Sequence, residues 1–168
     1  MACSVSDVLR RLGRVDQGEL ARVFAARLDP GRRYGAGALD LRERVRARVP
    51  WREATPAQFG DQGSYGNGAA MRVAPLGAYF FGNPVKAAAE AAAQAEVTHA
   101  NIEGIAGAVA VAVLAAVPET GRAMFDAVLD LTPRHLTSAR ACAGPGRLAG
   151  SASKRRPGPW ATVADQRT

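Results

Sequence analysis

Gly63-Ser64-Tyr65-Gly66-Asn67-Gly68-Ala69-Ala70-Met71-Arg72 sets three glycines, a serine, a tyrosine and an asparagine in six positions and follows them at once with a helix-compatible run. Glycine permits positive φ and lets the backbone approach a ligand with no Cβ in the way. Ser64 and Asn67 are good N-cap types, so the spacing predicts a helix from Gly66 to Phe81 that begins near Gly66–Ala69. The free N–H groups and positive dipole end of such a helix suit an anion. The stretch therefore reads either as a phosphate cradle or as a plain turn cluster. It matches neither G-x-x-x-x-G-K-[ST] nor a G-x-G-x-x-G placed after a strand, which excludes those nucleotide-binding classes.

Outward from this stretch, every periodic segment is helical. Val5, Val8, Leu9 and Leu12 predict a helix over 3–12 that stops at Gly13. Asp16 with Glu19 predicts a capping box for a second helix, with Leu20, Val23, Phe24 and Leu28 on one face and Pro30-Gly31 at its end. Residues 32–38 read as a loop, 39–49 as a charged helix closed by Pro50, and 51–61 as irregular. Pro75 falls inside the predicted 66–81 helix and should kink it. Asn83-Pro84 starts the next helix, with Val85, Ala88, Ala89, Ala92 and Ala95 on one face. Asn101–Val117 is apolar nearly all round and hence central. A last amphipathic segment over 123–131 carries Met124, Val128 and Leu131. No alternating strand pattern and no internal repeat is visible. The expected architecture is all-α, a compact orthogonal bundle of roughly six helices.

The 168 residues suit one domain. The net charge of +7 is unevenly spread: residues 1–133 carry about +1 and residues 134–168 about +6. The latter stretch is rich in Gly, Pro, Ser and Arg, and is expected to be a disordered tail behind a helical domain over 1–133. A nucleic-acid role would rest on that tail alone, through Lys154, Arg155 and Arg156 with only Trp160 for stacking. Cys3 and Cys142 have no metal spacing and read as free thiols of a reducing compartment. The longest apolar run is 105–117, shorter than the ~20 residues a membrane span needs. With no secretory signal visible at the start of the chain, the expected location is cytoplasmic.

The ten-residue stretch, together with Thr98-His99-Ala100 ahead of an apolar helix, Gly13-Arg14-Val15-Asp16 and Pro30-Gly31-Arg32-Arg33-Tyr34-Gly35, resembles the ADP-ribosylglycohydrolase family over about residues 2–131. The resemblance implies hydrolysis of the glycosidic bond at the anomeric carbon of ADP-ribose in ADP-ribosylated proteins or small molecules. It implies two Mg²⁺ ions held by a Thr-Asp-Asp motif and an Asp-x-Asp motif, as hard oxygen ligands suit magnesium. It also implies that Gly63, Ser64, Tyr65, Gly66, Asn67 and His99 line ADP-ribose.

The sequence departs from the family at the metal motifs. It holds no Asp-Asp pair and no Asp-x-Asp. The first motif is expected just upstream of Met1, and the basic tail stands where the second would follow. No catalytic carboxylate pair and no metal ligand can be named: Asp126 and Asp130 read as a solvated face, and neither Asp61 nor Glu103 is supported by spacing. His99 otherwise reads as a hydrogen-bonded residue at a helix junction, and Arg72 as a phosphate partner or as half of an ion pair with Asp61 or Glu96. The expectation is an ADP-ribosylglycohydrolase relative inactive alone, the alternatives being a non-catalytic ADP-ribose-binding remnant or a non-functional fragment.

Overall fold

In a computed structural model, residues 1–32 and 34–133 are described. The predicted tail over 134–168, with Cys142, lies outside the described residues. Among those described there are nine α-helices, two 3₁₀ turns and no strand. Six helices have ten or more residues: α1 (Ala2–Leu12), α2 (Gln17–Arg27), α3 (Ala36–Arg46), α7 (Pro84–Glu96), α8 (Ile102–Ala116) and α9 (Arg122–Leu131). Between α3 and α7 lie three short ones, α4 (Trp51–Ala54), α5 (Gln58–Asp61) and α6 (Ala74–Tyr79). The all-α architecture agrees with the sequence pattern.

Local chemistry accounts for the helix ends. Gly13 caps α1 at φ 69°, its N–H reaching Leu9 O. The Asp16 carboxylate accepts from Glu19 N and starts α2. The return bond of a capping box is not made, because Glu19 is drawn to Arg11 at 2.7 Å and Arg22 at 2.9 Å. Asn83 accepts from Lys86 N and Asn101 from Glu103 N, which start α7 and α8. Helix α3 begins three residues earlier than the pattern suggests, with Gly35 as its N-cap, and ends before Arg48, which takes φ 68°.

The core sits around α8. Ala108, Val109, Ala112, Val113 and Ala116 of α8 pack with Ala87, Ala88, Ala91 and Ala95 of α7 and Leu76 of α6, and Val5, Val8 and Leu9 of α1 join the same cluster from the side of α6. Small side chains let these helices approach closely. In α7 the buried face is Ala87, Ala88, Glu90, Ala91, Gln94 and Ala95, whereas Val85 is exposed. The inward stripe is thus rotated toward two polar residues that the hydrophobic pattern could not include. Helix α9 lies on the outside: no residue of it is fully buried, but Met124, Val128 and Leu131 lean on the core.

The single helix expected over 66–81 is not formed. Turns occupy 66–69, a 3₁₀ turn runs over Ala70–Arg72, and α6 starts only at Ala74. Pro75 sits in the first turn of α6, where its missing N–H costs no hydrogen bond, and so marks a start and not a kink.

Candidate functional site

The site is assembled where the 63–68 loop meets the junction between α7 and α8. The chain enters the loop through Phe59 (φ 54°), Gly60 (φ 69°), Asp61 (φ 63°) and Gly63 (φ 67°). Four left-handed residues in five positions coil the backbone tightly, at a cost of order 1–3 kcal/mol for each non-glycine. Gly63 is glycine for a second reason. A Cβ there would lie 2.7 Å from Ala100 Cβ and 2.9 Å from Asn101 N. Asn101 Nδ2 donates to Gln62 O at 3.1 Å, which ties the loop to the start of α8.

Ser64 Oγ accepts from Gly66 N at 3.4 Å, a local turn bond. The helix N-terminus that was expected to supply a phosphate cradle at Gly66–Ala69 is therefore absent, and the loop offers turn N–H groups in its place. Tyr65, Gly66 and Asn67 are exposed. Next to Tyr65 stands Phe59, 53 % exposed, with ring centroids 6.2 Å apart and planes inclined at 54°. Phe59 was not singled out in the sequence. Its only local signal is an aromatic next to glycine in a stretch without periodicity.

His99 lies directly behind the loop. Its ring is wrapped by glycines: a Cβ on Gly68 would meet His99 Cε1 at 3.2 Å, one on Gly66 would sit 3.9 Å from Nε2, and one on Gly104 would meet Cδ2 at 3.1 Å. Gly104 would also press on Ser64 O at 2.9 Å. The loop, the histidine and the first turn of α8 thus fit tightly at Gly68 and Gly104, where a Cβ would crowd the ring or the Ser64 carbonyl, whereas a Cβ on Gly66 would make ordinary contact. Of the predicted residues, Gly63, Ser64, Gly66 and His99 are brought together here, with Tyr65 and Asn67 on the outer side of the same loop.

Polar support comes from beneath. Thr98 Oγ1 is 2.7 Å from His99 Nδ1 and accepts from Arg72 Nη2, also at 2.7 Å. Arg72 is buried, so it is neither at the ligand surface nor paired with Asp61 or Glu96. Its Nε donates to Gln94 Oε1 at 2.8 Å, its Nη2 also to Gln94 O at 3.0 Å, and the guanidinium lies 4.6 Å from the Phe24 ring centroid. Among the described residues no carboxylate pairs with it. Burial pushes its pKa down to about 9, which leaves it charged at neutral pH. Burial first, and the Arg72 charge second, push His99 down to about 4, so the imidazole is neutral at pH 7.

The remaining candidates are dispersed. Asp126 pairs with Arg122 at 3.1 Å on the exposed side of α9, as a solvated face should. Asp61 is exposed. Among the described residues no group of three or more His, Cys, Asp or Glu side chains is placed to hold a metal ion. The two magnesium ions implied by the family resemblance therefore find no ligand set in these residues. No helix among them is long and apolar enough to cross a membrane.

Comparison with known proteins gives a consistent assignment. The chain is 39 % identical over 100 residues to the ADP-ribosylhydrolase ARH3 of Mus musculus, covering 56 % of this chain and 26 % of that protein. The ARH3 of Bos taurus is 40 % identical over 100 residues, covering 56 % of this chain and 27 % of the relative. That of Danio rerio is 34 % identical over 84 residues, covering 48 % and 22 %. The chain thus spans about a quarter of the length of the curated relatives it matches. The family model described as ADP-ribosylglycohydrolase matches residues 1–166, and on that match the chain belongs to the ADP-ribosylglycohydrolase family.

Proposed function

We propose that this chain carries the ADP-ribose-binding loop of an ADP-ribosylglycohydrolase, and that residues 1–168 alone bind ADP-ribose without hydrolysing it. The observation that carries the reading is the glycine-walled contact of the 63–68 loop with His99, flanked by the exposed rings of Phe59 and Tyr65. The loop's N–H groups and the Ser64 hydroxyl suit diphosphate and ribose oxygens. Two exposed rings side by side suit a nucleobase face. Turnover in longer relatives would add magnesium as a Lewis acid and a positioned carboxylate pair. Among the described residues no group of three or more His, Cys, Asp or Glu side chains is placed to hold a metal ion, which supports binding without turnover for this chain.

The test is a thermal melt and a calorimetric titration of the purified chain with millimolar ADP-ribose, with and without Mg²⁺. A ligand that binds only the folded state must raise the melting temperature. The expected result is a cooperative melt raised by ADP-ribose, lowered affinity in Ser64→Ala and Asn67→Ala, and no release of ADP-ribose from a modified substrate. Unchanged binding in both variants would remove the loop assignment. Mg²⁺-dependent turnover would remove the second half of the proposal. A chain with no cooperative melt would be a fragment that does not fold by itself.

A further inference from the structure

Arg72, Thr98 and His99 form a chain of hydrogen bonds that runs from the core to the back of the loop. Arg72 is a donor only. Its Nη2 therefore fills one lone pair of Thr98 Oγ1. The hydroxyl has one proton left to give, and among the described residues His99 Nδ1, at 2.7 Å, is its remaining hydrogen-bond partner. If His99 instead carried its proton on Nδ1, that N–H would donate to Thr98, and the buried hydroxyl proton would have no acceptor. Leaving a buried polar group unsatisfied is unfavourable. The direction Arg72→Thr98→His99 Nδ1 is the one that satisfies the Arg72 N–H, the Thr98 hydroxyl and the Nδ1 lone pair together.

That direction fixes the other side of the ring. We propose that Arg72 and Thr98 are positioning residues that hold His99 as the Nε2–H tautomer, so that the ring presents a hydrogen-bond donor to an oxygen of the ligand at the Gly66–Gly68 loop. Of the His99 ring atoms, Nε2 is the one nearest Gly66, at 3.9 Å from a Cβ built there, and it would lie 3.4 Å from one on Gly68; among the described residues it has no protein hydrogen-bond partner. His99 is only 7 % exposed. A nearly buried N–H aimed at the loop selects for an acceptor, such as a phosphate or ribose oxygen, and against a donor. The ring is set to orient the ligand, because its Nδ1 lone pair is engaged and its Nε2 holds no lone pair to take a proton. The ligand part of this inference rests on the proposed ADP-ribose loop; the tautomer does not.

The tautomer can be read directly. In a uniformly ¹⁵N-labelled full chain at pH 7, a long-range ¹H–¹⁵N histidine correlation distinguishes protonated from unprotonated ring nitrogens, and His135→Gln assigns the His99 signals. The expected spectrum is a single Nε2–H tautomer. Thr98→Val, which keeps the shape and loses the hydroxyl, should give an exchanging mixture and weaken ADP-ribose binding by roughly tenfold, whereas Thr98→Ser should restore both. A wild-type ring protonated on Nδ1, or a Thr98→Val ring still fixed as Nε2–H, would overturn the proposal. If Thr98→Val does not fold, the wild-type spectrum decides by itself. Failure of ADP-ribose to bind a chain that shows the Nε2–H tautomer would overturn the ligand reading and support the relay.

Discussion

Gly77 of α6 lies so close to Ala112 of α8 that a Cβ on the glycine would clash with the Ala112 carbonyl oxygen and would stand 2.7 Å from Ala115 Cβ. Backbone cannot retreat as a flexible side chain can. Gly77→Ala should therefore force α6 away from α8 and cost about 1–3 kcal/mol or more. Chemical denaturation of this variant should show a lower midpoint with an unchanged slope. Gly107, where the nearest atom to an added Cβ is Ala70 Cβ at 3.9 Å, provides the control: Gly107→Ala should be neutral or mildly stabilising.

A second prediction concerns a buried carboxylate. Glu90 Oε2 accepts from Val15 N at 2.6 Å, and Glu90 is 7 % exposed. Glu90→Ala leaves that N–H without an acceptor and opens a cavity in the face of α7, so it should destabilise the chain by roughly 2–3 kcal/mol. Glu90→Gln retains an acceptor oxygen and should lose much less. Equilibrium unfolding of the two variants separates the two cases.

The third follows from His99. Its folded pKa of about 4 lies below the ordinary 6.5. The unfolded chain therefore binds more protons between these values, and folding is favoured by the neutral ring. This contribution is fully present above about pH 6.5 and is lost as pH falls toward 4. It is worth up to roughly 3 kcal/mol by the pKa difference. Hydrogen bonds from Arg22 and Arg11 hold Glu19 down to about 2, which extends the same trend to lower pH. Stability measured from pH 7 to pH 4 should fall, and His99→Gln should flatten the upper part of that slope.

The loop gives a fourth prediction. Gly104→Ala places a methyl against both Ser64 O and the His99 ring. It should displace the loop and weaken ADP-ribose binding by about tenfold or more, while a helix-favouring residue in α8 limits the loss of stability. Titration calorimetry beside a thermal melt checks both halves.

Much of the fold was legible because its signals are local. Gly13 ends α1 through its left-handed backbone, and Asn83 and Asn101 start α7 and α8 through side chains acting on their own neighbours. The apolar character of α8 announced its central position without help from elsewhere. Misreadings arose where the deciding partner is distant. Arg72 resembled a surface cation until Gln94 and Thr98, 22 and 26 positions later, enclosed it. The inward turn of α7 depends on Glu90, whose partner Val15 lies 75 positions earlier. Pro75 reads in the sequence as a kink inside a 66–81 helix, and it is the turns before it that make it a helix start instead. In the candidate site, Gly63, Ser64, Gly66 and His99 belong to the motifs that carry the family resemblance and lie together in the fold, whereas Phe59 and Gly104 join them through packing that no spacing encodes.

The bond from Val15 to Glu90 also sets an order of events during synthesis. It clamps the corner between the first two helices against a helix made much later. A nascent chain that has exposed only α1 and α2 can form their turns, but it has no buried acceptor for the Val15 N–H and no α6 to pack against Val5, Val8 and Leu9 of α1. Contacts of such long sequence separation form late, because the loop between them must first close. The α1–α2 segment should therefore remain a sticky, protease-sensitive intermediate on the ribosome until α6 and α7 emerge, and chaperone contact should concentrate on that interval.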